Sequence, residues 1–157
     1  MANRTVFGLA AAMGALSFLV ARYDQFFFTL HFLESLIYLV ILLLMFYRLE
    51  EWAYVFGMAA PVFWLLFAGA AGVLSGNVAE FGKALIGSGI NSPVRVVGGV
   101  MIFVALGLLV ASVRAFKKVV WGTPEAVRIL AIGTGIVIAF YVSIAYALLQ
   151  MATPSAG

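Results

Sequence analysis

Residues 26–47 of the chain, FFFTLHFLESLIYLVILLLMFY, decide its fold. A transmembrane helix needs about 20 largely apolar residues to cross about 30 Å of hydrocarbon, and this stretch meets that length. It nevertheless contains the only histidine of the chain, His31, and a glutamate three positions later, Glu34. The sequence therefore predicts a membrane-spanning helix that carries two ionisable side chains within its apolar length.

The composition of the whole chain indicates that lipid, not water, surrounds it. Of its 157 residues 66% are hydrophobic and 10% are charged, whereas about a quarter of the residues of a soluble domain are charged. The net charge of +3 is too small and too scattered for a nucleic-acid partner. The absence of cysteine excludes disulfides and thiolate-held metal sites. We therefore expect a single membrane domain, residues 1–157.

The apolar stretches predict an all-α fold, a polytopic integral membrane helical bundle with five transmembrane helices and one short interfacial helix. The predicted spans are residues 5–21, 25–47, 52–74, 93–115 and 124–150. Ser92-Pro93 and Thr123-Pro124 each place a capping hydroxyl before a proline, which suits the first position of a helix. Pro61 predicts a kink in the third span, or a freed carbonyl near Gly57 that a neighbouring hydroxyl or water must satisfy.

Residues 76–92 are too polar and too rich in glycine to form a span. Asn77 and Glu80 have the spacing of a capping box, which predicts a short helix that starts after Asn77. The apolar side of this helix would consist of Val78, Phe81 and Leu85, opposite Glu80 and Lys83. An interfacial helix and a re-entrant segment fit this pattern equally well.

The basic residues predict the orientation of the chain. With the amino terminus in the cytoplasm, six basic residues lie inside and three outside, and cytoplasmic loops carry such an excess. The six are Arg4, Arg48, Arg114, Lys117, Lys118 and Arg128. We therefore expect a cytoplasmic amino terminus and an outer carboxyl terminus, with a bacterial inner membrane as the simplest location. Arg114, Lys117 and Lys118 hold the end of the fourth span at the cytoplasmic surface or bind anionic lipid headgroups.

A row of small residues predicts a face of the fifth span that packs closely on another helix. Helices in lipid associate where small side chains let their backbones approach, and such residues recur here at every fourth position. The row consists of Ala131, Gly135, Ala139, Ser143 and Ala147. The partner would be another helix of this chain or another subunit.

Helical spacing places His31, Glu34 and Tyr38 on one stripe of the second span. Glu34 lies about 13 Å below the start of this span, close to the bilayer midplane. An ionised carboxylate at that depth costs on the order of 3 kcal/mol, so the pair needs an explanation. We call these three residues the intramembrane polar site.

Four interpretations of the intramembrane polar site remain open. The pair forms hydrogen bonds that fix helix packing, to each other or to Ser17, Thr134, Tyr141 or Ser143, and the sequence favours this interpretation. Alternatively it is a proton or cation site. It would otherwise form part of a pocket for a quinone, lipid or other amphiphile, or ligate haem or a chlorophyll-type pigment through His31. No cofactor is predicted, because one histidine cannot supply bis-histidine haem, and one histidine with scattered carboxylates makes no metal cage.

The function that the sequence favours is that of a non-catalytic accessory or structural subunit of a larger membrane protein complex. Its expected partners are membrane lipids and other membrane subunits or further copies of the chain. No nucleophile and base are paired, and hence we expect no enzyme and no catalytic residue. The alternative is a small proton- or cation-linked transporter or channel that uses His31 and Glu34.

Overall fold

The computed structural model describes residues 2–24 and 28–152. In these residues six α-helices follow one another without a strand. They are α1 (Ala2–Tyr23), α2 (Phe28–Phe46), α3 (Glu50–Ala70), α4 (Leu74–Leu85), α5 (Pro93–Val119) and α6 (Ala126–Ala152). All except α4 are long and apolar enough to cross a membrane. The predicted all-α bundle with five spans and one short additional helix is therefore confirmed.

Four of the long helices form the centre of the bundle. α1 and α3 each pack against both α2 and α5, so that the four helices close into a ring. Their fully buried side chains include Val6, Met13, Ile41, Tyr54, Met101 and Leu108. α4 lies along α5, whereas α6 lies outside the ring, against α3 and over a short stretch against α2. The fifth span is consequently at the edge of the bundle.

The ends of α2, α3 and α4 share one backbone arrangement. The residue that follows the last turn is Gly72 after α3 and Gly87 after α4, with φ of 70° and 69°. After α2 the same position is held by Arg48, with φ of 61°. The amide of Leu49 donates to the carbonyl of Leu44 at 2.8 Å, which is the long hydrogen bond of a Schellman motif. Arg48 therefore holds a backbone conformation that favours glycine.

Replacing Arg48 with glycine is expected to stabilise the protein by roughly 1 kcal/mol, because side chains other than glycine are strained in the left-handed region. The gain should raise the midpoint of thermal unfolding in detergent micelles. Gly72→Arg is the matched reverse change at the end of α3 and should lower the midpoint. A lower midpoint for Arg48→Gly would show that contacts of the arginine side chain outweigh its backbone strain.

One of the two predicted proline-linked caps is confirmed and the other is wrong. Ser92 caps α5, and its Oγ accepts a hydrogen bond from the Arg95 amide at 3.4 Å. The Thr123 hydroxyl instead donates to the carbonyl of Val120 at 2.8 Å. α6 begins at Ala126, two residues after the predicted start. Thr123 closes the turn after α5 because a carbonyl lies within its reach there.

The predicted capping box in α4 is also wrong. α4 begins at Leu74, and Asn77 lies within its first turn instead of before it. Glu80 is 5% exposed, whereas Val78 and Leu85 are 49% and 71% exposed. The polar side of α4 thus faces the protein, and much of its apolar side faces outward. Whether α4 is interfacial or re-entrant stays a prediction.

Two glycines of α5 let α4 approach closely. A Cβ atom on Gly99 would lie 2.4 Å from the Phe81 Cβ and 2.7 Å from the Asn77 carbonyl oxygen. A Cβ atom on Gly98 would lie 2.4 Å from the Asn77 side-chain nitrogen. Real Cβ atoms do not approach other atoms so closely, so any larger residue at Gly99 must push the helices apart.

Candidate functional site

His31 lies between two carboxyl groups at one end of the bundle. Its Nδ1 is 3.1 Å from Glu34 Oε2, and its Nε2 is 3.8 Å from Asp24 Oδ2. His31 and Glu34 meet because residues three apart lie on the same side of a helix. A neutral imidazole with its proton on Nδ1 donates to Glu34, and a protonated imidazole can donate toward both carboxyl groups.

These three side chains become steadily more buried along the line that they form. The exposed fraction is 33% for the Asp24 side chain, 20% for His31 and 5% for Glu34. Asp24 can therefore exchange protons with water, whereas Glu34 is reached through His31. The arrangement can transfer a proton between the membrane surface and a buried carboxyl group.

Two tyrosines continue the polar line beyond Glu34. Tyr38 is fully buried, and its hydroxyl has no hydrogen-bond partner of acceptable geometry among the described residues. It lies close enough to Tyr141 and Glu34 to interact electrostatically with both. The Tyr38 and Tyr141 side chains therefore lie side by side next to Glu34. The stripe on α2 thus extends to α6.

The Tyr141 side chain joins α6 to the middle of α3. Its hydroxyl donates to the Ala60 carbonyl oxygen at 3.3 Å, and its ring stacks on Phe63 with centroids 5.9 Å apart. Of the four hydrogen-bond partners considered from the sequence, Tyr141 interacts electrostatically with both Tyr38 and Glu34. The Ser143 hydroxyl donates within its own helix to the Ala139 carbonyl at 2.8 Å, and Ser17 is buried without a hydrogen-bond partner in the described residues.

Pro61 lies inside α3, which remains helical on both sides of it. The hydroxyl nearest to Gly57 belongs to Ser112 of α5, and a Cβ atom on Gly57 would lie 2.3 Å from its Oγ. That Oγ is buried and makes no hydrogen bond with the described residues. A hydroxyl thus lies beside Gly57, but it does not form the hydrogen bond predicted for the freed carbonyl.

The row of small residues lies on the outside of α6. Ala131, Gly135, Ala139 and Ser143 are exposed, and Ala147 is partly exposed. No atom of the described residues lies within 4 Å of a Cβ built on Gly135. Close approach to α3 is made instead at Gly133, where a Cβ would lie 2.6 Å from Val55 Cγ1. The row does not pack within the described chain, so its role in contact with a second chain stays a prediction.

The three basic residues predicted to contact headgroups lie at the end of α5. Arg114, Lys117 and Lys118 are all exposed, and none of them is within 4 Å of a carboxylate in the part of the chain that the structure describes. They are accessible to lipid headgroups, and their binding of anionic lipid stays a prediction. Residues 2–24 and 28–152 contain no group of three or more candidate metal ligands.

A second buried carboxylate, Glu80, was not identified from the sequence as a site of this kind. It accepts hydrogen bonds from Lys83 Nζ at 2.6 Å and from the amides of Asn91 and Ser92 at 2.8 and 3.2 Å. The hydrogen bond from Lys83, followed by that from the Asn91 amide, lowers the pKa of Glu80 from 4.5 to about 2. Glu80 thereby ties the segment between α4 and α5 to α4.

Glu80→Gln is expected to reduce hydrogen-exchange protection of the Asn91 and Ser92 amides about tenfold at pH 7, because a neutral amide is a weaker acceptor. Lys83→Gln removes one donor, leaves both amide bonds and should have a smaller effect. The lowered pKa means that this stabilisation is complete above about pH 4.5 and is lost as the pH falls through about 2. If the Asn91 and Ser92 amides are equally protected in Glu80→Gln and in the unchanged protein, Glu80 does not tie this segment to α4.

Comparison of the chain with known protein families, curated proteins and solved structures gives no match. Its function is therefore argued from its own residues.

Proposed function

We propose that this chain is a small accessory subunit of a larger membrane assembly, and that α6 contacts the neighbouring subunit. The supporting observation is the exposed row of small residues on a helix that uses its opposite side to pack on α3. Ridges of branched side chains border the row: Ile132, Ile136, Ile138 and Val142, between 41% and 61% exposed. β-Branched side chains lose little freedom on packing, and small residues between them admit a partner backbone.

The short connections between helices support the same proposal. Residues 47–49, 71–73, 86–92 and 120–125 join successive helices from α2 to α6. Segments of this length cannot build a separate soluble site. We therefore propose that the function of the described chain depends on the bundle and its surface. We propose no catalytic step and no resident cofactor, since the side chains that meet can transfer protons but include no activated nucleophile.

The positions of the basic residues support a cytoplasmic amino terminus and an outer carboxyl terminus in a cell membrane, for which a bacterial inner membrane is our proposal. The six basic residues predicted inside include the exposed group at the end of α5. Reporter fusions at the two ends of the chain test this orientation. Both reporters active in the same compartment would contradict it.

Association through α6 can be tested by cysteine cross-linking, because the chain contains no cysteine of its own. Ala139→Cys is expected to give disulfide-linked dimers in native membranes if the neighbour is a second copy. If the neighbour is a different protein, Gly135→Leu should reduce its co-purification at least tenfold, because the leucine blocks close approach. Val110→Leu changes a lipid-exposed residue of α5 and is the matched control.

The accessory-subunit proposal fails if the unchanged protein is a monomer both in its native membrane and in mild detergent. It also fails for α6 if Gly135→Leu and Val110→Leu leave the assembly equally intact. Assembly lost in Gly135→Leu alone would support the row as the contact.

The geometry around His31 favours a second function, a proton- or cation-linked transport site. The specific observation is the line from the partly exposed Asp24 through His31 to the buried Glu34. Ion flux through reconstituted vesicles, compared between the unchanged protein and Glu34→Gln, tests this function.

A further inference from the structure

A surface groove lies where α1 begins, α2 ends and α3 begins. It has a volume of about 260 Å³ and is lined by Asn3, Arg4, Phe7, Met45, Phe46 and Glu50. This end of the bundle is opposite to the one that contains Asp24 and His31. Because helices of this length match the hydrocarbon thickness, their ends lie at the level of the lipid headgroups.

The groove combines an apolar wall with two opposite charges. Phe7 and Phe46 are 45% and 75% exposed, and Met45 also lines the groove. Arg4 comes from α1 and Glu50 from α3, and they form no ion pair with each other. Arg4 is not within 4 Å of any carboxylate in residues 2–24 and 28–152. A ligand that bears both charges would satisfy both residues.

Tyr54 holds the Glu50 carboxylate at the edge of this groove. Its hydroxyl contacts the Asn3 side chain and lies 3.1 Å from Glu50 Oε2. A hydroxyl has one proton, and a carboxylate is a stronger acceptor than an amide, so Tyr54 donates to Glu50. The Asn3 atom beside the hydroxyl is Oδ1, an alternative acceptor for the same proton. The second oxygen of Glu50 accepts no hydrogen bond from the described residues and is left for a ligand.

We propose that this groove binds a zwitterionic phospholipid with a primary ammonium group, namely a phosphatidylethanolamine. The phosphodiester pairs with Arg4, the ammonium donates to Glu50, and an acyl chain lies along Phe7, Met45 and Phe46. A quaternary ammonium has no proton to donate to the free Glu50 oxygen. An anionic lipid without an amine leaves Glu50 unpaired and is repelled by the negative charge of the Glu50 carboxylate. The groove therefore selects among lipids by headgroup and is independent of contacts made by α6.

Native mass spectrometry of the delipidated, full-length protein can test this selection. The titrants are phosphatidylethanolamine, phosphatidylcholine and phosphatidylglycerol with identical acyl chains. We expect the first to bind about tenfold more tightly than the other two. Glu50→Gln should remove the preference over phosphatidylcholine, and Arg4→Gln should weaken binding of all three lipids. Arg128→Gln changes an exposed basic residue outside the groove and should leave the preference unchanged.

Phe46→Ala provides a variant that leaves the charges intact and changes a largely exposed side chain. It should weaken the binding of all three lipids equally and keep the preference for phosphatidylethanolamine. This test can be made even if Glu50→Gln fails to fold. Equal binding of the three lipids to the unchanged protein would overturn the proposal. So would a preference for phosphatidylglycerol, or a phosphatidylethanolamine preference that survives Glu50→Gln.

Discussion

Glu34→Gln is expected to lower proton-linked flux through vesicles that contain the purified protein by at least about a hundredfold. Glutamine has nearly the size of glutamate and can accept the hydrogen bond that His31 Nδ1 donates at 3.1 Å. The glutamine side chain cannot take up or release a proton, so proton transfer through this position is blocked. Asp24→Asn should have a smaller effect, since Asp24 is 33% exposed and water can replace it as the proton donor.

Glu51→Gln is the matched control for this experiment. Glu51 is an exposed carboxylate in the first turn of α3, at the opposite end of the bundle from Asp24. Flux that is unchanged in Glu34→Gln would remove Glu34 from any transport mechanism. If vesicles with the unchanged protein conduct no more than empty vesicles, the His31 and Glu34 pair serves helix packing. Glu34→Leu should then destabilise the fold, because it leaves a partly buried His31 without its partner.

Gly99→Leu is expected to destabilise the protein by about 3 kcal/mol and to displace α4 from α5. The obstacle is rigid, because even a Cβ atom would lie 2.7 Å from the Asn77 carbonyl oxygen, which is backbone. Relief therefore requires α4 to move as a unit. The expected result is a lower thermal midpoint in detergent, together with faster hydrogen exchange throughout α4.

Gly82→Leu is the matched control on the same pair of helices. No described atom lies within 4 Å of a Cβ built on Gly82, and leucine has a higher helix propensity than glycine by nearly 1 kcal/mol. It should leave the midpoint unchanged or raise it. Equal effects of the two substitutions would show that close contact at Gly99 does not hold α4 in place.

The five spans could be predicted from the sequence because length and hydropathy within a single segment determine whether a helix can cross a bilayer. The contact between His31 and Glu34 was predictable for a similar reason, since it depends on helical spacing alone. Tyr141 could be named as a candidate partner but not chosen over Ser143 or Thr134. That choice depends on which side of α6 faces α3, which is a tertiary property.

The small residues of α6 illustrate why it is hard to predict which side of a membrane helix contacts the rest of the protein. A soluble helix distinguishes its buried side by hydrophobicity, but a membrane helix is apolar on both its lipid-facing and its protein-facing sides. The longer row, which includes Gly135 and Ala139, faces outward, and the single residue Gly133 makes the close approach to Val55. The burial of Glu80 could not be predicted from the pattern of α4 alone, because two of its hydrogen-bond donors, the Asn91 and Ser92 amides, lie beyond the end of the helix.

The lateral position of α6 has a consequence for the biogenesis of the protein. We expect the ring of α1, α2, α3 and α5 to assemble first, because these four helices precede α6 in the chain. α6 then packs on α3 and α2 and makes no contact with α5, the helix that precedes it. Until it arrives, the Ala60 carbonyl lacks the tyrosine that later donates to it. We therefore expect α6 to dock late, and a ribosome stalled after α5 should display the ring without this hydrogen bond.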